Sequence, residues 1–499
     1  MHHADNLSWA GSVDKLVAAQ AELFRLQQEE LQLLKQLFDV RAAAKAQKIK
    51  IDVLIKERNR PTLDLPTELL VNIFYLCICP DTLERGIYRR RHQLASVSRH
   101  WRDIILCIPA FWTYLTISPN DISFLKTRLK RSRSAPLDIV VTGWGEPDNK
   151  TALIESIQII APCADRWRSL TMHDNYEPFA ESVIDEINGL EFPFCRRVNI
   201  NARSDVASNW LVTFPNFLLS KNSLALEHIS LWDIMVPPGF LTLSKLTTLE
   251  LTNVDLDLEA PAVSVFSQSL TKLSLFGTML GWPEEPGFIR FPALRTLVLH
   301  VENPRPFLES ILAPVLESFD YSYQSTLEAD SVVFSRVENK FHAVHHLALS
   351  LGDELHWSNV TGVALRQAFP SVRYLKINAN DMVHVFVHCQ QSGLSRCIMD
   401  DCNSLEQVTI CYADSNWKLD SMDLFVGWLT NRIRSGQKRL RVKLTGSFPP
   451  ISESTFAKMR KCCILELEVS MPPLVHLSMS EHSPLRVVSA SSFNIGIVN

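Results

Sequence analysis

The chain has 499 residues, enough for several ordinary domains or one long repeat array, and with 46% hydrophobic and 21% charged residues it reads as globular rather than disordered. A formal net charge of −4 gives no bulk attraction to nucleic acid or to an anionic membrane, and only 16 glycines argue against a nucleotide-cradling enzyme or a Gly-rich all-β protein. The opening "MHHADNLSWAGSVDK" has no secretion-type apolar core, no uncharged apolar run reaches roughly 18 residues, and eleven cysteines, mostly inside apolar runs (Cys77, Cys79, Cys107, Cys195), read as reduced, buried thiols of a cytoplasmic or nuclear protein.

Residues 12–58 read as one amphipathic helix, with Ser12 placed to cap it and no Gly or Pro before Pro61. A heptad frame from Leu16 runs through Ala19, Leu23, Leu26, Glu30, Leu33, Leu37, Val40, Ala44, Gln47, Ile51 and Leu54, so ten of its twelve seam positions are apolar. Glu30 and Gln47 are defects in that seam. Two readings stay open: a coiled coil, including self-association through this helix, or a helix that packs back on its own chain.

Residues 63–117 follow as a short helical segment. Pro66 suits the start of a helix. Leu69, Leu70, Ile73 and Phe74 give one apolar stripe, and Leu94, Val97, Trp101 and Ile104–Ile105 a second. About fifty residues of short helices bury too little apolar surface to stand alone, so these stripes meet another protein or the following domain. The basic runs "RRRH" (Arg89–His92) and "KTRLKRSR" (Lys126–Arg133) read by default as solvated faces.

From 118 to 499 an L-x-x-L-x-L pattern takes over. It appears as "WRSLTM" (167), "CRRVNI" (195), "LEHISL" (226), "LTTLEL" (246), "LTKLSL" (270), "LRTLVL" (294), "LESFDY" (316), "VHHLAL" (344), "VRYLKI" (372) and "LEQVTI" (405), with weaker copies "RLRVKL" (439), "ILELEV" (464) and "LRVVSA" (485), at spacings of 20 to 34 residues. Side chains alternate along a strand, so the fourth and sixth positions face one interior and the fifth faces out. The outward fifth row holds Ser230, Glu250, Ser274, Val298, Asp320, Ala348, Lys376 and Thr409; Glu250, Ser274, Asp320 and Lys376 are its candidate target-binding residues. Helix-like pieces between the strands return the chain. The expected fold is α/β: a long N-terminal helix and a small helical module, then an irregular leucine-rich-repeat solenoid with a parallel sheet. The asparagine or cysteine of such repeats, three residues after the sixth position, is replaced by Ile234, Val254, Thr278 and Glu302.

No G-x-S-x-G, G-x-x-x-x-G-K, H-E-x-x-H or G-x-G-x-x-G is present, so no catalytic residue, metal site or cofactor is assigned. Cys389, Cys397, Cys402 and Cys411, near His388, lack paired zinc-ligand spacings, and His342, His345 and His346 read as a surface cluster.

The run "LDLPTELLVNIFYLC…QLASVSRHWRDII…PAFWTYLTI" resembles an F-box, with Leu65-Pro66, Glu68-Leu69-Leu70, Ile73-Phe74, Leu94, Val97-Ser98, Trp101-Arg102, Ile104 and Trp112 in order over about a tenth of the chain. The layout is similar to fungal F-box proteins, in which a heptad helix precedes the box and an "APLDIVV"-like strand (Ala135–Val141) opens the repeats; the link "ICPDTLERGIYRRRH" is longer and more charged than usual. The resemblance implies a non-catalytic substrate receptor of a Skp–cullin–F-box E3 ubiquitin ligase. The Skp-type adaptor would contact Leu65, Pro66, Leu69, Leu70, Ile73, Phe74, Leu94, Val97 and Trp101, cullin and the RING protein would join through it, and the repeats would hold a protein target. The alternative is a binding scaffold without a ubiquitination role. No nucleic-acid or membrane partner is expected.

Overall fold

The computed structural model describes residues 5–58, 65–78, 84–119, 122–144, 149–203, 215–219, 225–234, 245–253, 268–277, 287, 289–302, 304–322, 333–334, 337, 339–350, 359–386, 399, 402–412, 420–446 and 452–468. It forms two compact units, Met1–Phe111 and Trp112–Asn499.

The first unit is helical. Helix α1 (Asp5–Arg58) starts seven residues earlier than Ser12, which therefore lies inside the helix rather than at its cap. Every described side chain from Lys15 to Leu54 is exposed, so the helix is not packed back and its seam is uncovered. Helix α2 (Thr67–Ile78) begins just after Pro66, whose carbonyl accepts the Leu69 and Leu70 N–H groups at 3.0 and 3.2 Å. Its inward residues are Leu70, Phe74 and Ile78, one helical turn apart. The Phe74 ring lies 4.7 Å from Trp101 and 6.4 Å from Phe111, an aromatic cluster that anchors the helix.

Helices α3 (Glu84–Val97) and α4 (Arg99–Cys107) are separated by Ser98 alone. Its backbone is extended, and its Oγ accepts the Trp101 N–H at 3.1 Å, an N-cap that begins a new helix. The second apolar stripe is therefore bent at Ser98 and is not one continuous helical face. The arginine run of α3 is also not simply solvated. Arg91 is buried, donates to the Phe111 carbonyl at 2.8 Å and lies over the Tyr88 ring, while Arg90 donates to the Cys77 carbonyl at 3.2 Å. The link residues 79–83 and Cys79 fall outside the described residues.

The second unit is α/β, built on strands β1 (Tyr114–Ile117), β2 (Leu137–Thr142), β3 (Trp167–Tyr176), β4 (Arg197–Arg203), β5 (His228–Trp232), β6 (Thr248–Thr252), β7 (Lys272–Gly277), β8 (Ile289–Arg290), β9 (Thr296–Val301), β10 (Ile311–Leu312), β11 (Ser318–Ser322), β12 (His346–Ser350), β13 (Tyr374–Asn378), β14 (Gln407–Tyr412), β15 (Arg441–Gly446) and β16 (Ile464–Glu468). Fourteen of them form one sheet in chain order, every neighbouring pair parallel, while β8 and β10 make a separate parallel pair. Strand β1 comes from the segment 63–117 that the sequence assigned to the helical module. Connections carry helices such as α5 (Ile122–Ser132), α6 (Lys150–Ile160) and α7 (Glu177–Ile187), with others at Asn359–Ala368, Asp420–Arg434 and Glu453–Cys462. In α5 the second basic run is partly structural, since Arg128 is buried and the Arg131 guanidinium sits 4.4 Å from the centre of the Trp112 ring.

The alternation read from the sequence sets the register. Ile229, Leu249, Leu273, Leu297 and Phe319 stand side by side at the fourth position, and Leu231, Leu251, Leu275, Leu299 and Tyr321 at the sixth, all buried. They join helix residues such as Leu153, Ile157, Leu365, Phe425 and Leu429 in one apolar core. One register needs correction. Val442 pairs with Leu465 and Leu444 with Leu467, so the unit placed at 464 begins at 462. The copy at 485 lies outside the described residues.

The substitution of the usual Asn or Cys is accommodated one residue earlier. Gly143, Asp233, Asn253, Gly277 and Gly446 each stand two residues past the sixth position, and all have positive φ, from 51° to 94°. The left-handed conformation turns the chain out of the strand, which favours Gly, Asn and Asp there. Asn253 Nδ2 donates to Asp233 Oδ1 at 2.9 Å, and a Cβ on Gly277 would come within 2.0 Å of Asn253 Oδ1. Gly277→Ala should thus cost about 1–2 kcal/mol from φ alone, with a further loss from displacing Asn253. Urea unfolding should show a lower midpoint for Gly277→Ala, and adding Asn253→Gly should restore only the steric part; an unchanged midpoint would contradict the turn geometry.

Candidate functional site

Two surfaces, one on each unit, collect the candidate binding residues. On α2 the outward face carries Leu69, Ile73 and Leu76, exposed by 49%, 43% and 75%, with Pro66 at its head. Spacings of four and three residues put these side chains on one face, about 130° round the helix from the centre of the Leu70, Phe74 and Ile78 row. The nine residues expected at the adaptor contact therefore divide. Pro66, Leu69, Ile73 and Val97 are exposed, and Leu65, Leu94 and Trp101 are half-buried. Leu70 and Phe74 are buried and withdrawn from the contact set: they hold α2 in place. The error came from reading adjacent apolar pairs as one stripe, although a helix turns each neighbour away by more than a quarter-circle. Leu76 was missed, yet its signal was present, three residues after Ile73 and seven after Leu69.

The outward side of the sheet is the second surface. Its fifth-position row is continuous in register, from Ser230 through Glu250, Ser274, Val298, Asp320, Ala348, Lys376 and Thr409 to Lys443 and Glu466. Accessibility along it is uneven. Ser230 and Ser274 are 3% and 1% exposed, so Ser274 is withdrawn as a contact residue; a short side chain between longer neighbours sinks beneath them. Glu250 and Asp320 are half-buried and Lys376 is exposed.

Neighbouring rows supply chemistry to this face. His300 Nε2 lies 3.2 Å from Asp320 Oδ1, and the His300 ring meets Phe276 edge-on at 5.0 Å. His346 stacks on Tyr374 at 4.4 Å, whereas His345 belongs to the preceding row and has a buried Nδ1. Burial holds the His228 imidazole below its usual pKa, an effect that neighbouring Glu250 opposes and Arg197 and Lys272 reinforce. Toward the last strands, Lys443 pairs with Glu468 at 2.7 Å and Arg441 with Glu466 at 3.2 Å, and the Glu468 contact raises the Lys443 pKa. The face therefore combines carboxylates, lysines, aromatic rings and imidazoles. It suits non-covalent recognition of a polar surface.

Among the described residues no group of three or more His, Cys, Asp or Glu is placed to hold a metal ion, and no helix is long and apolar enough to cross a membrane. Cys402 and Cys411 are in different environments, one against Met399 and one accepting from Thr445, while Cys389, Cys397 and His388 fall outside the described residues. Cys77 and Cys107 are exposed, contrary to the expectation of buried thiols, whereas Cys195 is buried and its pKa is pushed up to about 12 by desolvation. Compared with protein-family models and with curated proteins, the chain matches none.

The contrast within the outward row is testable by thermal melting. Ser274→Arg must force a long cation into a filled position and should cost about 1–3 kcal/mol. Lys376→Glu, on the same face but exposed, should stay within about 0.5 kcal/mol of the parent. Equal losses would mean that the row is not differentially buried.

Proposed function

We propose that this chain is the substrate-receptor subunit of a Skp–cullin–F-box E3 ubiquitin ligase. Residues 65–112 act as the F-box that docks a Skp-type adaptor, which brings cullin and the RING protein. The second unit is a leucine-rich-repeat-like solenoid whose sheet face receives a protein target. The observation that carries the reading is the two-faced α2 helix: Leu70, Phe74 and Ile78 are buried, Phe74 against Trp101 and Phe111, while Pro66, Leu69, Ile73 and Leu76 are exposed. An ordered helix that presents such a row to solvent is suited to lie against a partner's helix or groove. The ordered V-S-x-x-W match adds to this, since Ser98 caps α4 on the Trp101 amide and Trp101 braces the α2 interior.

The role is positional. A receptor of this kind raises the effective concentration of target lysines near the charged E2 and breaks no bond itself. Glu250 and Asp320 on one side of the row and Lys376 on the other supply charge of both signs along the sheet face, which fixes orientation and rejects like-charged partners more than it adds raw affinity.

Leu69→Asp combined with Ile73→Asp should reduce adaptor capture at least tenfold in a pull-down, because each charge would be desolvated in the contact. The melting temperature should barely move, as both side chains are exposed in the free chain. Phe74→Ala should instead lower stability of the helical unit. Full adaptor capture by the Asp pair would refute the F-box reading; adaptor capture without cullin would leave a scaffold rather than a ligase subunit.

A further inference from the structure

We infer that α1 pairs with α1 of a second copy of this chain, antiparallel, in the register that sets Glu30 of one helix against Gln47 of the other. The inference does not rest on the ligase reading. It starts from an uncovered seam: Leu23, Leu26, Leu33, Leu37, Val40, Ile51 and Leu54 are each between 44% and 65% exposed on an unbroken helix of 54 residues. A heptad seam of that length is built for another helix.

Two properties of the helix choose the occupant and its direction. The first is charge. Residues 12–30 hold four acidic and two basic side chains, and residues 31–58 hold seven basic and three acidic. A second copy laid antiparallel brings each acidic half beside a basic half, whereas a parallel copy aligns like with like. The second is the pair of seam defects. In a parallel, in-register dimer Glu30 would face Glu30 across the seam, and two carboxylates sharing a dry layer cannot both stay ionised. In one antiparallel register the two defects meet. Glu30 then lies opposite the partner's Gln47, whose amide N–H can donate to the carboxylate, and this happens twice by symmetry.

The same register makes the other layers between residues 23 and 54 apolar. Leu37 faces the partner's Val40, Leu33 the partner's Ala44, Leu26 the partner's Ile51, and Leu23 the partner's Leu54. Glu29, which flanks the seam, then lies beside the partner's Lys50; in the free chain it pairs with Arg25 on its own helix, at 3.7 Å. A polar layer inside an apolar seam fixes register at some cost in stability, which is what the two symmetric Glu30–Gln47 layers would do here. Val17, Phe24, Leu31 and Phe38, one heptad apart, form a second exposed row beside the seam in the first half of the helix. Two such pairs could join through that row into a tetramer without changing the pairing.

The full chain should sediment at micromolar concentration as a dimer, or as a tetramer that keeps the same pairing. Leu26→Asp with Leu37→Asp should return it to monomer with the melting of the sheet unit unchanged. Orientation is read by mixing two single variants, Leu23→Cys and Leu54→Cys, oxidising the mixture and identifying disulfide-linked peptides by mass spectrometry. Links between position 23 of one chain and position 54 of the other are expected in at least tenfold excess over links of either position to itself. A monomeric parent, or dominant 23–23 and 54–54 links, would overturn the proposal.

Discussion

The second unit depends on lateral register. Strands β5–β7, β9 and β11–β14 begin their ladder one residue before the strand proper, where the amide of Glu227 reaches Arg196, that of Thr247 reaches Glu227, that of Thr271 reaches Thr247, and so on through Arg295, Glu317, His345, Arg373 and Glu406. Because every pair is parallel and every unit enters the sheet at the same point, a leucine at the sixth position has a sixth-position neighbour on both sides. A slip by one residue in any strand would turn its apolar pair outward and its polar row inward. Burial of two adjacent rows thus protects register better than hydrogen bonding, which would tolerate the slip.

This explains how connections of unequal length feed one regular sheet. Repeat starts range from 20 to 34 residues apart, yet the strands stay aligned. The entry is fixed by the backbone ladder and the exit, in five units, by a left-handed residue. Between those points the chain has freedom to carry a helix or none. The ion pairs along the entry row, Arg196 with Glu227, Arg295 with Glu317 and Arg373 with Glu406, are exposed and add little energy, but they join neighbouring units in the same direction as the ladder.

How much of this was legible followed from the range of the interaction involved. The inward leucines and the parallel sheet were, because alternation with period two is written in consecutive residues and repeated ten times. The left-handed exits were written too, as Gly143, Asp233, Asn253, Gly277 and Gly446, but they were masked by a search for a conventional asparagine one residue later. Strand β1 was hidden because "TYLTI" directly follows the helical segment and lacks a leading leucine. In the unit at 464, Ile464 and Leu467 fit the L-x-x-L spacing and put Leu467 at the fourth position; pairing with Val442 and Leu444 shows instead that Leu465 is fourth and Leu467 sixth. On α2 the apolar composition was plain, while its division into an inner and an outer face required knowing that Trp101 and Phe111 come to Phe74. The burial of Ser274 could not be read at all, since it depends on the size of side chains in adjacent strands.

The distribution of exposed apolar groups gives the two units different tasks. Of the 28 large apolar side chains exposed among the described residues, 21 belong to the first unit, which spans about a fifth of the chain. The sheet unit buries its leucines in its own core, and the last of its described strands carries Glu466 and Glu468 held by Arg441 and Lys443. It is self-sufficient in apolar contacts. The helical unit is not: its interior uses Leu70, Phe74 and Ile78, and leaves two separate apolar rows, on α1 and on α2, in water. Those rows differ in period and surroundings. The α1 row repeats over many turns with charges of both signs beside it, as a long helix partner requires, whereas the α2 row spans barely three turns and starts at a proline, as a compact docking face requires. The two exposed apolar rows of the first unit therefore share no residue with each other, and neither draws on the charged row of the sheet face.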